Sequence, residues 1–315
     1  MITILMAVFN GEKYLDEQFE SIVLQTYKDW HLIIRDDCST DNSFAIAETF
    51  AKNMGNKVTL YRNKTPLGSA EKNFARLFKD ALDAEYIMCC DQDDVWKPDK
   101  LEKSIDVMKK LEKKYGSNVP ILVHGDVEVV DSGMNKIAAS MFEMSHLPYE
   151  PVLSQLIIQN NVTGCTMLMN NCLLKGIAGI AGRDEIIMHD YLAALYAAVF
   201  GRTEVIREPL LYYRQHGDNS VGAKNSNNAG YLFNRFSSGK ASYRRAMYKS
   251  QRQINFFAKV YGKKMLESGK KAEYKLFKEY GSLSERNHLK RLAFYFCNNV
   301  WKSGTIRKIM QCIWG

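Results

Sequence analysis

Within the first 130 residues, uninterrupted apolar runs alternate with stretches whose apolar residues recur at helical spacing, and this alternation most restricts the fold. Residues 2–9 form an apolar run. Residues 12–26 then place Leu15, Phe19, Ile22 and Val23 on one helical face. The same reading predicts strands at Trp30 to Arg35, Val58 to Tyr61, Glu85 to Cys90, Pro120 to His124 and Val127 to Val130. It predicts helices over 43–54, Ser69 to Leu82 and Pro98 to about Lys114. A strand that is apolar on both faces has to be covered on both faces. The pattern therefore predicts an α/β fold with a Rossmann-like, mostly parallel sheet and helices on each side.

Ligands of such sheets bind beyond the carboxyl ends of the strands. Three predicted strand ends carry polar groups: Asn10-Gly11, Asp36-Asp37 and Asp91-Gln92-Asp93-Asp94. The last packs three carboxylates into four positions directly after an apolar run. An edge of that kind repels anions unless a hard cation sits there. Mg²⁺ or Mn²⁺ takes one or two carboxylates together with substrate phosphates. A solvated acidic turn is the bland alternative. Neither a Gly-x-Gly-x-x-Gly fingerprint nor a Walker loop occurs, which disfavours dinucleotide dehydrogenases and P-loop NTPases.

The chain has 315 residues, 46% hydrophobic and 25% charged, enough for one large domain with an appendage. The N-terminus lacks a basic n-region and reads as a first strand. The apolar stretch Tyr191 to Phe200 is too short to span a bilayer. Seven cysteines without Cys-x-x-Cys spacing predict reduced thiols and a cytoplasmic protein, with no structural zinc site. The net charge of +8 is uneven. Residues 231–315 carry 19 Lys+Arg against 4 Asp+Glu, and the rest carry 24 against 31.

After residue 150 the pattern changes. Val152 to Ile158 reads as a helix and Gly164 to Met169 as a short strand. Met188-His189-Asp190 leads into the apolar helix 191–200. Thr203 to Ile206 and Leu210 to Tyr213 read as short strands, and Asp218 to Gly230 as a loop.

In this order the pieces resemble the glycosyltransferase family 2 pattern on the GT-A fold, over about residues 1–225. Four motifs carry the resemblance: Ile4 to Leu15 with Ser21 and Gln25-Thr26-Tyr27; Asp36-Asp37-Cys38-Ser39-Thr40-Asp41; Asp91 to Trp96 with Pro98 downstream; and Gly164 to Met169 followed by His189-Asp190. A narrower resemblance, to bacterial rhamnosyltransferases of surface polysaccharide synthesis, adds Asn161 to Thr166 and Tyr213-Arg214-Gln215-His216 with Asn219 to Ala223. It implies a 1–225 transferase domain and a 226–315 helical region.

The resemblance also implies roles. Ala7, Phe9, Asn10, Asp37, Asn73, Asp91, Gln92 and Arg214 are expected on the nucleotide-sugar donor. Asp93, Asp91 and His216 are expected on Mn²⁺ or Mg²⁺, with Asp91 alternatively on the ribose. Asp190 is the expected general base of an inverting transfer, His189 its rival, and capping of helix 191–200 its structural alternative. Asp94 is expected to cap the helix near Pro98, and Trp96 to pack. The implied donor is dTDP-L-rhamnose, with a UDP-hexose as alternative, and the implied acceptor a saccharide or lipid-linked saccharide. A nucleotidyltransferase would normally show a basic Gly-rich loop where Glu12 follows Gly11. A non-catalytic carbohydrate-binding protein would not need Asp91, Asp93 and Asp190 together.

The basic tail interleaves aromatic residues with Lys and Arg, as in Phe256-Phe257 and Leu292 to Phe296. It predicts two to four amphipathic helices that meet an anionic membrane surface, placing the protein peripherally at the inner face of the plasma membrane. A solvated basic face is the alternative. No nucleic-acid module motif is present, so nucleic acid is not an expected partner.

Overall fold

A computed structural model describes residues 1–217 and 239–315. The predicted loop 218–230, the 225/226 boundary and the motif Asn219 to Ala223 lie outside the described residues.

Strands β1 (Ile2–Val8), β2 (Trp30–Asp36), β3 (Val58–Arg62) and β4 (Tyr86–Cys90) pair in parallel in the order β3-β2-β1-β4. Beyond β4 the described sheet continues through β8 (Leu168–Asn170), β6 (Ile121–Asp131), β9 (Arg202–Gln215) and β5 (Val95–Trp96), with β7 (Lys136–Ala138) on the edge of β6. Register aligns the functional ends. Val8 lies opposite Asp36 and Met6 opposite Cys90, so Asp37 and Asp91 emerge side by side past β1.

Side-chain alternation explains the two-sided core. Ile2, Ile4, Met6 and Val8 of β1 enter one apolar cluster, with Phe19 of α1 (Leu15–Val23), Ala47 of α2 (Ser43–Met54) and Leu101 of α4 (Lys100–Tyr115). Leu5 turns to the other face. There it joins Phe74 and Phe78 of α3 (Ala70–Asp80) with α7 (Asn171–Ile177) and α8 (His189–Phe200). Helix α8 is apolar nearly all round because both of its sides are covered.

What covers it is the basic region. Helices α9 (Gly239–Glu267), α10 (Lys271–Gly281), α11 (His288–Cys297) and α12 (Thr305–Trp314) are the amphipathic helices expected there. Tyr243, Phe257, Phe277, Tyr295 and Met310 enter the same cluster as α8. Polar ties cross as well: Tyr261 Oη donates to Gly176 O at 2.7 Å and Arg307 Nη1 to Ser145 O at 2.8 Å.

Several local expectations are corrected. The helix expected over 152–158 shrinks to α6 (Leu153–Leu156), and Gly164–Thr166 is a single 3₁₀ turn before β8. Helices α5 (Met141–Ser145) and α7 were not expected. The four short strands predicted between 120 and 130 and between 203 and 213 are two long ones. They bend where the β6–β9 register shifts at Gly125, Asp126 and Glu128, opposite Pro209, which has no N–H to give the ladder.

Gly201 ends α8 where the chain presses on the start of β6. An added Cβ would lie 1.8 Å from the Pro120 carbonyl oxygen, which already accepts Arg202 N at 2.8 Å. Gly201→Ala should therefore lower stability by about 3 kcal/mol. A depressed thermal midpoint checks this; an unchanged midpoint would show that the junction yields freely.

Candidate active site

A cavity of about 700 Å³ opens at the carboxyl ends of β1, β2 and β4. Ala7, Phe9, Asp37, Asn73, Asp91, Gln92, Asp93 and Asp190 of the expected set line it. Asn10, Arg214 and His216 do not.

The acidic turn is held from two sides. From β1, Gln92 forms a two-point clip: its Oε1 accepts Phe9 N at 2.8 Å and its Nε2 donates to Phe9 O at 3.0 Å. The amide expected on the nucleotide thus also holds the backbone of β1, while the side chain lines the cavity. Gly11 makes room for it, since a Cβ there would sit 2.5 Å from Gln92 Cδ. From β9, Arg214 N donates to Asp94 Oδ1 at 3.2 Å and Arg214 Nε to Asp93 O at 2.9 Å. The remaining guanidinium nitrogens reach Ser132 O and the Glu17 carboxylate, and the group lies over the Tyr14 ring. Arg214 is 2% exposed, so in this structure it acts on the turn and not on the cavity. Asp94 does not cap α4, whose start shows no side-chain cap. It is buried beneath the turn, and burial with the charges of Asp93 and Asp91 pushes its carboxyl well up.

Asp93 and Asp91 face the cavity. Asp93 Oδ2 lies 2.8 Å from His216 Nε2, whose ring stacks on Tyr14. Burial, then the Asp93 charge, raises the Asp91 carboxyl to about 7. Behind them Lys100 is buried against the Trp96 ring, and its Nζ donates to Cys165 O at 2.6 Å. Trp96 packs, as expected. Among the described residues the tightest group of metal-capable atoms is Asp91, Asp94 and Cys165. Asp94 and Cys165 do not line the cavity, and burial pushes both the Asp94 carboxyl and the Cys165 thiol well up, which disfavours the charged forms a metal would need there. Asp91 and Asp93, with His216 beside them, are the oxygen-rich set that suits a hard divalent cation sharing substrate phosphates.

The β2 end shapes a neighbouring wall. Asp37 accepts Asn63 Nδ2 at 2.8 Å, Leu67 N at 2.7 Å and Gly68 N at 3.1 Å, fixing the loop that leads to α3. Asn73 donates to Arg35 O at 3.0 Å from the first turns of that helix. Asn10, at φ 49°, links β1 to this region: its Oδ1 accepts Thr40 N at 2.9 Å and its N donates to Ser39 Oγ at 3.0 Å. Asparagine tolerates that left-handed conformation.

Asp190 is brought in by the first turn of α8. Its Oδ1 accepts the Tyr191 N–H, so it serves the helix end as well as facing the cavity. Burial and the Asp91 charge raise its carboxyl to about 7, against the lowering pull of the Tyr191 and Gly164 N–H groups. His189 is buried and stacked on Phe74 at 3.9 Å, and burial alone drops it to about 3. A base needs an affinity for protons near the working pH, which Asp190 has and His189 lacks. Gln253 of α9, invisible to sequence reasoning, steadies the approach by accepting Ile187 N at 2.6 Å.

The raised Asp190 carboxyl makes a stability prediction. Its folded pKa lies above the unfolded value, so folding is penalised increasingly from about pH 4 up to about pH 7 and by a constant amount above that. Asp190→Asn should raise the thermal midpoint by a margin that is absent near pH 4, grows to pH 7 and then levels off. A margin independent of pH would contradict the shift.

A family model described as "Glycosyl transferase family 2" matches residues 3–169. The dTDP-rhamnosyl transferase RfbG of Shigella flexneri is 32% identical over 241 residues, covering 72% of this chain and 76% of that protein. Two solved structures share the fold. Residues 1–349 of S. aureus TarS in complex with UDP-GlcNAc are 16% identical, with a TM-score of 0.55 and coverage of 90% of this chain and 91% of that one. The mannosyltransferase PcManGT of Pyrobaculum calidifontis, in complex with GDP-Man and Mn²⁺, is 15% identical, with a TM-score of 0.52 and coverage of 94% and 73%.

Proposed function

The chain belongs to glycosyltransferase family 2, and on that premise we propose that it transfers L-rhamnose from dTDP-L-rhamnose to a saccharide or lipid-linked saccharide acceptor with inversion. The observation that carries this reading is one cavity lined both by the Asp91–Asp93 turn and by Asp190. The likeness to RfbG supports the choice of donor.

Asp91 and Asp93, with His216 against Asp93, are the proposed ligands of Mn²⁺ or Mg²⁺. When bound, that ion would supply Lewis-acid stabilisation of the departing diphosphate. Ala7, Phe9, Asp37 and Asn73 form the proposed nucleotide wall. Gln92, Arg214 and Asn10 position it: Gln92 and Arg214 fix the acidic turn, and Asn10 fixes the β1 end against the loop after β2. Asp190 accepts the proton of the acceptor hydroxyl as that oxygen bonds to the anomeric carbon. The bond from the anomeric carbon to the phosphate oxygen breaks on the opposite face, and the electron pair leaves with dTDP. One displacement gives one inversion. Residues 1–225 form the proposed transferase unit and 226–315 a region that meets an anionic membrane surface, peripherally at the cytoplasmic face. No helix among the described residues is long and apolar enough to cross a membrane.

Asp190→Asn should lower kcat by roughly 10³-fold while the Kd for dTDP stays within about twofold, measured by turnover and calorimetry side by side. Unchanged turnover would remove Asp190 from the role of base. In the wild type, kcat/KM should fall as pH drops through about 7, where the Asp190 carboxyl gains its proton. In a donor panel, dTDP-rhamnose should turn over faster than UDP-hexoses. The reverse order would keep the family and move the donor.

A further inference from the structure

Helices α11 and α12 each bury one face and expose a second that is not polar. On α11, Phe294 and Tyr295 are buried, while Leu289, Lys290, Ala293, Phe296 and Cys297 share the exposed face at i, i+1, i+4, i+7 and i+8. Leu289 is 76% exposed and Phe296 67%. On α12, Met310 and Gln311 are buried while Ile309 and Ile313 stand out, at 51% and 55%. Large aliphatic and aromatic side chains do not gather on solvated helix faces without a partner.

The charge that these two helices and their link carry is of one sign, although Glu279 and Glu143 face it across neighbouring clefts. Residues 286–315 hold six Lys and Arg and no Asp or Glu. Arg286 and Lys290 line a cleft of about 490 Å³ between α10 and α11, with Ala293 and Phe294 on its wall and Glu279 across from them. A second copy of the chain is a poor occupant. A two-fold interface sets each patch against itself, and would bring the exposed Lys290 and Lys308 against their own copies. An anionic bilayer satisfies both features. Apolar side chains enter the headgroup–acyl boundary, and Lys and Arg stems lie along it with their charges at the phosphates.

Resting on the membrane reading above, we infer that the α11–α12 face is the docking surface of this protein, with Leu289 and Phe296, and Ile309 and Ile313, entering an anionic bilayer. Arg286 and Lys290 take lipid phosphates in the α10–α11 cleft. The membrane contact is thus confined to the end of the basic region and is not spread along α9. Helix α9 packs on α8 and contributes to the core that carries Asp190.

The test is co-sedimentation of the full-length protein with vesicles of phosphatidylglycerol and phosphatidylcholine, or of phosphatidylcholine alone, at low and high salt. Wild-type protein should bind the anionic vesicles, and less so at high salt. Leu289→Ser with Phe296→Ser, both at exposed positions, should weaken that binding about tenfold or more with an unchanged circular dichroism spectrum. Lys290→Gln with Lys308→Gln should weaken it by a similar factor at low salt. The charge-matched pair Lys259→Gln and Lys263→Gln on α9 should change it less than twofold. Trp301, whose ring lies 4.8 Å from that of Phe296, should be quenched by brominated lipid. If wild-type protein ignores anionic vesicles, the membrane reading itself falls. If it binds and the α11 variants bind equally well, that reading stands and this face is wrong. A concentration-dependent dimer in solution that Phe296→Ser abolishes, without vesicle binding, would make the face a self-interface and overturn the inference.

Discussion

Three acidic side chains share one turn, where burial and their mutual repulsion raise Asp91 to about 7 and push Asp94 well up, and the architecture past β4 is arranged around that turn. Left in water the turn would splay. Here Gln92 clips it to the β1 backbone, Arg214 ties it to β9, and Lys100 sits behind it with its charge toward Asp91 and Asp94. Lys100 is itself strained by burial, which lowers it to about 8. The repulsion that remains is aimed at the cavity, where Asp91 and Asp93 present the negative charge that a divalent cation and a diphosphate together would neutralise. The turn is in this sense a preorganised receptor: ordering it is done by the fold and not by the ligand.

The same economy appears at Asp190. A carboxylate at the first turn of a helix is ordinarily stabilised by the helix end. Here burial outweighs that effect and the group holds its proton to about neutral pH. The rest of α8 is covered on both sides, by the sheet and by the C-terminal helices. The basic region therefore does two things at once. Its inner faces complete the core under the active site, while its last two helices keep apolar side chains in solvent.

Much of this was legible from residue order. Apolar runs ending at Asn10, Asp36-Asp37 and Asp91 to Asp94 gave the parallel half of the sheet and the edge where its chemistry lies, because period and strand-end polarity are local signals. The C-terminal helices were legible from their amphipathic spacing. The long-range clips were not. Gln92 meets Phe9 across 83 positions, and Arg214 reaches Asp94 across 120. Nothing in either neighbourhood marks those side chains as ties between distant strands. Lys100 was not singled out by residue order, and it is fully buried. The bend of β6 against β9 escaped for a related reason: each half reads as a strand, and only pairing shows that they are continuous.

The most direct measurement is calorimetric titration of dTDP into wild-type protein and Asp93→Asn, each with Mn²⁺ and with chelator. The geometry of the acidic turn predicts tight binding by the wild type only when the metal is present, and no gain from metal in Asp93→Asn. Equal affinity of the wild type for dTDP with metal and with chelator would contradict the assignment of Asp91 and Asp93 as the site of charge neutralisation.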